Sequence, residues 1–252
     1  MRRAEAEVDL FADILSVAWR TLKSLISGRF PRVEVTKQLY DFSVGSLGIV
    51  VLCVSFTGII IILEYSHHMK LVLGNDTLIP GFAMVLLVRE LAPAVTALLL
   101  TSKMGAGIAA ELGAMKTTEQ LDAYRLLGLD AVEYFVTPRF IASAASTLML
   151  SIVALFLATV GAWFAAVTVL QFSTGTFFQS LFAFVGLSDF ALCAVKALCF
   201  GASIPLISAT FGFRCQFGSE GVGLTTTDAV VTNSIWIIVL DFLLTYLFSL
   251  FH

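Results

Sequence analysis

Residues 44–64 read VGSLGIVVLCVSFTGIIIILE, an apolar run whose only charged residue is the final Glu64. A helix needs about 20 consecutive apolar residues to cross the hydrocarbon core of a bilayer, and this run has that length. The amphipathic helices of water-soluble proteins do not contain such runs, because they alternate apolar and polar faces. The stretch therefore predicts a membrane-spanning helix.

Four more apolar blocks follow, from about Leu78 to Leu100, Phe140 to Leu170, Phe190 to Phe211 and Ala229 to Leu250. The second of these exceeds the length that a bilayer needs, so we expect it to tilt or to project beyond the hydrocarbon. The 252-residue chain is 58% hydrophobic and 13% charged, with a mean hydropathy of +0.94. Soluble domains are closer to half apolar and a quarter charged. The sequence predicts an all-α integral membrane protein with five transmembrane helices.

The first 43 residues differ from the rest. Apolar side chains recur at helical spacing from Val8 to Ile26, while Arg20 and Lys23 lie off this stripe. This pattern is typical of a helix that lies in the membrane interface. A helix packed on the bundle is the alternative. We divide the chain into an N-terminal interfacial helix with a basic connector, residues 1–43, and a transmembrane domain, residues 44–252.

Lysine and arginine placement predicts the orientation of the five spans. Twelve of these residues lie before the first span or in the loops after the second and fourth spans, and one, Lys70, lies on the opposite side. Because loops rich in lysine and arginine stay in the cytosol, we expect a cytosolic N-terminus and a C-terminus on the outer side.

Four ionisable residues fall inside the predicted spans: Arg89, Glu90, Lys196 and Asp241. A charge in the hydrocarbon region is costly unless it is paired or hydrated, so such residues indicate a functional site or a structural ion-pair lock between helices. Neighbours on a helix point about 100° apart, so Arg89 and Glu90 need different partners. We predict that Glu90 pairs with Lys196 and that Arg89 pairs with Asp241.

The polar stretch between the second and third spans contains a short helix pattern. Thr117 with Gln120 three residues later resembles a capping box, and Gly128 is a typical helix end. The predicted helix from Thr118 to Leu127 has one polar and one apolar side. Such a helix suits docking into a groove of a partner, and a simple interfacial connector is the alternative.

Several motifs of the chain resemble those of the MlaE/YrbE family, the permeases of ABC transporters that work with MCE proteins. The motifs are Arg89-Glu-Leu-Ala-Pro93, Glu111-Leu-Gly-Ala-Met115, Thr118-Glu-Gln-Leu-Asp-Ala123, Gly128, Pro138-Arg139, Asp189, Lys196, Phe200-Gly201, Gly221-Val-Gly223, Thr226-Thr227, Ala229-Val-Val231 and Asp241-Phe242. The resemblance covers about residue 89 to the C-terminus. Leu224 and Asp228 depart from it, because family members often carry basic residues around the threonine pair.

The resemblance implies a homodimer in the bacterial inner membrane, bound to two ABC ATPase subunits and to a periplasmic MCE-domain protein, that moves phospholipids between the inner and outer membranes. A small cytosolic accessory subunit is a further candidate partner. The segment from about 111 to 128 would be the coupling helix received by the ATPase, with Glu111, Gly113, Thr118, Glu119, Gln120, Asp122 and Arg125 as its contact residues. Arg89, Glu90 and Lys196 would lie near the lipid cavity, and Leu71, Leu78 and Phe82 are candidate contacts for acyl chains.

Other classes of function have little support in the sequence. It contains no GxxxxGK[ST] motif, so ATP and Mg²⁺ are expected on the partner ATPase and no cofactor on this chain. The adjacent His67 and His68 lack further ligands, so no metal site is predicted, and no feature indicates nucleic-acid binding. The chief alternative is a gradient-driven lipid carrier or scramblase without an ATPase, and a structural membrane subunit is a third.

Overall fold

A computed structural model describes residues 2–28, 30–73, 78–216 and 218–251, with the side chains of residues 2–8, 70–73 and 251 left out. Within these ranges the chain is helical and contains no strand. The α-helices are α1 (Arg2–Ser27), α2 (Arg32–Leu73), α3 (Ile79–Leu86), α4 (Ala92–Leu100), α5 (Ala106–Thr117), α6 (Gln120–Leu126), α7 (Thr137–Thr168), α8 (Thr174–Phe184), α9 (Leu187–Phe213) and α10 (Ser219–Phe251).

Five continuous helical stretches among the described residues are long and apolar enough to cross a membrane: Arg32–Met69, Ile79–Thr117, Val132–Thr168, Leu187–Phe213 and Ser219–Leu250. The predicted five spans are confirmed, but the helices extend beyond the apolar blocks. Residues 65–73, for example, lie beyond the first apolar run and still belong to α2. Hydropathy marks the part of a helix that lies in hydrocarbon, and a helix need not end where the hydrocarbon ends.

Three π-helical turns, Leu87–Leu91, Thr101–Gly105 and Val132–Val136, join shorter helices into the second and third spans. Two of them end directly before a residue that precedes a proline, Ala92-Pro93 and Thr137-Pro138. A proline inside a helix has no N–H and its ring clashes with the carbonyl four residues earlier. The wider π turn accommodates this clash, since the Ala92 N–H bonds to the Leu87 carbonyl, five residues back.

The spans pack through small residues, which allow close helix approach in lipid. α7 lies between α2 and α9. Ser143 Oγ on α7 donates a 2.6 Å hydrogen bond to the Gly201 carbonyl on α9, and a Cβ at Gly201 would lie 2.6 Å from Thr147 Oγ1. The main core lies where α7 packs between α2 and α9. A smaller core includes Val17 of α1 and lies at the end of the bundle where α1 packs beside α5, α7 and α9.

Helix α1 packs on the bundle through its small and polar side. Val17, Thr21 and Ser24 are at most 5% exposed. The apolar stripe instead faces outward: Phe11, Leu15, Trp19, Leu22 and Ile26 are between 49% and 82% exposed. The stripe is therefore available to lipid, which favours the interfacial role over the alternative of a helix packed through its stripe, and the interfacial role stays a prediction.

Candidate functional site

Lys196 is the centre of a charge cluster shared by three spans. Its side chain, on α9, is fully buried. Its Nζ donates a 2.6 Å hydrogen bond to Glu90 Oε2, in the first π turn, and lies 2.7 Å from Asp241 Oδ1, on α10. A buried ammonium is tolerated in a low-dielectric interior only when it is paired. The two carboxylates provide that pairing and tie α10 to the rest of the bundle.

Thr245 completes the cluster on α10. Its Oγ1 lies 3.0 Å from Glu90 Oε1 and 2.8 Å from the Asp241 carbonyl oxygen, four residues earlier. Because a hydroxyl has one proton, it donates to one of these acceptors at a time. The side chain of Thr245 therefore holds Glu90 against α10 from the side that Lys196 leaves open.

Arg89 has a different partner. Its Nε donates a 2.6 Å hydrogen bond to Asp189 Oδ1 at the start of α9, and its guanidinium lies 5.5 Å from the ring centroid of Phe248, on α10. Asp189 Oδ2 accepts the Gly186 N–H at 2.8 Å. The Asp189 carboxylate, which is 2% exposed, therefore accepts a backbone hydrogen bond at the start of α9 and also binds Arg89.

The predicted pairing of Glu90 with Lys196 is confirmed, and the predicted pairing of Arg89 with Asp241 is wrong. The physical reason is that Asp189 and Lys196 lie seven residues apart on α9, which is about two helical turns. Arg89 and Glu90 each meet one of them. Asp241 then joins Glu90 on the same ammonium. The cluster with Arg89 and Asp189 contains two cations and three carboxylates, so it does not sum to zero as the four predicted residues do.

Sequence reasoning missed Asp189 as a charge partner and missed Thr245 altogether. Asp189 stands one residue before the predicted fourth span, so it was counted outside the membrane. An acidic residue in the first turn of a helix is itself a capping signal, and with an unpaired arginine in the second span it offered a signal for this pair. Thr245 offers no such signal, since a threonine on an apolar helix usually bonds to its own backbone.

The charges in the cluster are not fully covered by this chain. The side chains of Arg89, Glu90 and Asp241 are 38%, 26% and 23% exposed. All lie within helices that have the length and composition of membrane spans. A charge facing hydrocarbon is costly, so these side chains require either water or a second protein surface beside them.

The candidate acyl-chain contacts are in different surroundings. The structure does not describe the side chain of Leu71. Leu78 is half-buried directly before α3. Phe82 is 38% exposed and its ring lies 4.7 Å from that of Phe184 on α8. Phe82 lies eight residues, or about two helical turns, before Glu90 on the same span. Its ring packs against α8 and is partly exposed.

The predicted coupling segment forms the end of α5 and the short helix α6. The capping box is wrong: Thr117 Oγ1 bonds to the Ala114 carbonyl, and the residue before α6 is Glu119, in the left-handed conformation with φ of 59°. α5 continues to Thr117, so the chain turns sharply at Glu119 and the hydroxyl of Thr117 faces its own helix. Gly128 has a positive φ of 74° and ends the segment, as predicted.

Of the seven predicted contact residues, most lie on the surface of this segment. Glu111 is 56% exposed and bonds to the buried Arg139 at 2.6 Å. Asp122 and Arg125 form a surface ion pair, and Thr118, Glu119 and Gln120 are exposed. Gly113 differs, because it is buried and a Cβ there would lie 3.3 Å from Cys215 Sγ. Gly113 therefore serves packing of α5. Two strongly exposed leucines, Leu126 at 90% and Leu127 at 75%, lie at the tip of this segment.

Two ion pairs hold α1 against this end of the bundle. Arg20 bonds to Asp130 at 2.5 Å, and Arg214 bonds to Asp13 at 3.1 Å. Partial burial acts to raise the pKa of Asp130, but hydrogen bonds from Arg20 and the Val132 N–H, with the charges of Arg20 and Arg125, outweigh it and lower that pKa below its usual value near 3.8. Asp130 is therefore ionised at neutral pH and links α1 to the segment that follows α6.

These features define the class: a multi-pass α-helical membrane protein whose spans meet at a charge cluster. The lysine at the centre of this cluster is buried, and several of the surrounding charged side chains are partly exposed. A family model described as Permease MlaE matches residues 35–247. The chain belongs to the MlaE permease family.

Relatives agree with this assignment along most of the chain. A probable ABC transporter permease of Synechocystis sp. is 32% identical over 223 residues, which cover 88% of this chain and 84% of the relative. A probable ABC transporter permease of Rickettsia bellii is 33% identical over 215 residues, 85% and 82% of the two chains. The chloroplastic protein TRIGALACTOSYLDIACYLGLYCEROL 1 of Arabidopsis thaliana is 29% identical over 232 residues, 92% of this chain and 66% of the relative.

Proposed function

We propose that this permease is the membrane subunit of an ABC transporter that moves phospholipids between the inner and outer membranes of a bacterium. It would act as a homodimer, with a separate ATPase that binds ATP and Mg²⁺ and an MCE-domain protein on the periplasmic side. Family membership and the names of the relatives support an ABC permease. A lipid substrate has support from one relative, which is named after a glycerolipid.

The observation that carries this proposal is the partial exposure of Arg89, Glu90 and Asp241 within the spans. A polar cavity between two copies of the chain would hydrate these groups and would offer ion pairs to a phospholipid headgroup. α10 is the element that a second copy would cover, because it carries Asp241 and exposes a long apolar surface that includes Val231, Ile235 and Phe242. Leu71, Leu78 and Phe82 would contact the acyl chains in this cavity.

The second span would connect ATP hydrolysis to this cavity. Residues 79–117 form one continuous helical stretch with two π turns. One end carries the predicted coupling segment and the other carries Arg89 and Glu90. A displacement of α6 by the ATPase would therefore reach the charge cluster through a single helical stretch, and π turns are points at which such a helix can deform.

The proposed orientation follows the positive-inside rule, with the N-terminus and α6 in the cytosol and the C-terminus in the periplasm of a bacterial inner membrane. α1 would then lie in the cytosolic interface with its apolar stripe in the lipid. A small cytosolic accessory subunit would bind on the same side, beside the ATPase.

The test is to tag the chain in its native cell, extract it in mild detergent and identify the co-purifying proteins and lipids by mass spectrometry. A stoichiometric P-loop ATPase with an MCE-domain protein and bound phospholipid would support the proposal. A stable oligomer of this chain alone, without either partner, would instead favour a gradient-driven carrier or scramblase.

A further inference from the structure

A second polar cavity lies at the opposite end of the bundle from α8, beside the predicted coupling segment. It has a volume of about 400 Å³ and lies between the first part of α2, the second π turn with α5, and the start of α7. This volume is within the range of small-molecule sites. None of the five charged residues of the cluster around Lys196 and Asp189 contributes to it.

Two buried polar groups at this cavity have no hydrogen-bond partner among the described residues. Arg139, which is 3% exposed, uses Nη2 to bind Glu111, and its Nη1 has no acceptor. Ser46 is 1% exposed and its Oγ is also without a partner. A buried donor left without an acceptor destabilises the fold. Both groups line the same cavity, and an anionic acceptor such as a phosphate would satisfy both.

The charges of the cavity are of both signs. Lys103 donates to the Gly45 carbonyl, an uncharged acceptor, and a Cβ at Gly45 would lie 3.2 Å from the Lys103 Nζ. Within the described part of the chain, neither Lys103 nor Asp41 forms an ion pair, and Glu34 accepts a side-chain hydrogen bond from the neutral Gln38. Lys37 also lines the cavity, so two lysines and two carboxylates are available in addition to Arg139.

The rest of the wall is apolar. Phe42, Met104 and Ile108 line the cavity between its polar groups and the spans. A small polar ligand would gain no binding free energy from these side chains. The glycerol and first methylenes of a lipid would cover them and bury apolar surface, which favours binding. A ligand that suits the cavity therefore has a phosphate, an amine and an apolar continuation.

We propose that this cavity binds the headgroup of a zwitterionic, amine-bearing phospholipid. Its phosphate would accept from Arg139, Ser46 and Lys103, and its ammonium would bind Glu34 and Asp41. This site is separate from the proposed transport cavity. In the proposed orientation the lipid would come from the cytosolic leaflet.

The experiment uses the full chain purified with its partners and placed in nanodiscs that contain equal amounts of phosphatidylethanolamine, phosphatidylcholine and phosphatidylglycerol with identical acyl chains. A photo-crosslinking benzoyl-phenylalanine replaces Phe42, and lipid adducts are identified by mass spectrometry. The matched control places it at Tyr40, which is on the same helix and 65% exposed. We expect phosphatidylethanolamine adducts to exceed the other two about fivefold at position 42, which corresponds to ~1 kcal/mol, and to show no preference at position 40.

Variants and a competitor distinguish a headgroup site from unselective lipid contact and from a site for a soluble ligand. Asp41→Asn and Lys103→Gln change exposed residues, and each should abolish the preference at position 42, while Lys23→Gln on α1 should not. An equal preference at both crosslinking positions, or a preference for phosphatidylglycerol, would overturn the proposal. So would loss of the adducts at a glycerophosphoethanolamine concentration no higher than that of the lipid, because the acyl chains would then contribute nothing to binding. None of these readouts depends on transport or on the ATPase.

Discussion

Asp189 binds Arg89 at 2.6 Å with one carboxylate oxygen and accepts the Gly186 N–H at 2.8 Å with the other. The same side chain therefore starts α9 and fixes the arginine of the second span. Asparagine can keep the hydrogen bond to Gly186 but not the charge, and alanine keeps neither. We expect Asp189→Asn to lower the free energy of unfolding by about 1 kcal/mol and Asp189→Ala by about 2–3 kcal/mol. Chemical denaturation in detergent micelles measures both, and equal losses would mean that the hydrogen bond to Gly186 contributes nothing.

Lys196 is shared by Glu90 and Asp241, so the three residues should respond unequally to neutralisation. Glu90→Gln or Asp241→Asn leaves the buried ammonium with one carboxylate. Lys196→Met removes the cation that both carboxylates share and leaves them close together, and breaking a buried pair in this way costs about 3–5 kcal/mol. We expect the unfolding midpoint of Lys196→Met to lie well below that of either carboxylate variant.

A charge swap of Glu90 and Lys196 supplies the control for this shared arrangement. In Glu90→Lys with Lys196→Glu, the new glutamate at 196 would face Asp241, which lies 2.7 Å from the present ammonium. The double swap should therefore unfold as early as Lys196→Met and stay inactive in lipid transfer. Adding Asp241→Asn should restore part of both, and failure of this triple variant to exceed the double swap would contradict a shared ammonium.

The features that depend on local sequence could be predicted, and those that depend on the geometry of a neighbouring helix could not. The five spans follow from hydropathy, which is a local property, and the ion pair of Glu90 with Lys196 follows from the cost of isolated charge. The partner of Arg89 was missed, because it depends on where α9 begins and on the π turn before Pro93. The turn at Glu119 was missed because a left-handed glutamate has no sequence signal. In each case a residue's role is set by the geometry of a neighbouring helix.

Gly201 tests the close packing of α7 on α9. A Cβ at this position would lie 2.6 Å from Thr147 Oγ1 and 2.8 Å from the Ser143 carbonyl oxygen. Overpacking of this kind costs about 1–3 kcal/mol, so Gly201→Ala should lower the free energy of unfolding by that amount. Gly48→Ala is the matched control, since a Cβ there meets nothing within 4 Å. A loss at Gly201 no larger than that at Gly48 would show that α7 and α9 are not held this closely.

The docking of α1 should weaken in acid. The pKa of Asp130 is lower in the folded protein than its usual value near 3.8. A carboxylate with a lowered pKa stabilises the fold above its unfolded pKa, and this contribution is lost as the pH falls through the folded value. Spin labels at the exposed Leu22 and Leu129 should report a narrow distance distribution at pH 6 that broadens only as the pH falls below 3.8. Asp130→Asn should be broad at both pH values, while an unchanged distribution in this variant would show that Arg20 and Asp130 do not hold α1.

Leu126 and Leu127 should matter for ATPase docking rather than for folding. They are 90% and 75% exposed at the tip of the predicted coupling segment, so replacing them with serine removes almost no packing within the chain. Fully burying an exposed leucine side chain contributes about 1.5–3 kcal/mol, and 1 kcal/mol is already about a fivefold change in affinity. We expect the double serine variant to keep its unfolding midpoint but to retain at least about fivefold less ATPase in pull-down at limiting partner concentration. Leu187→Ser is the matched control, because Leu187 is 87% exposed at the other end of the bundle. Equal ATPase retention by the double variant and the control would remove α6 from the proposed interface.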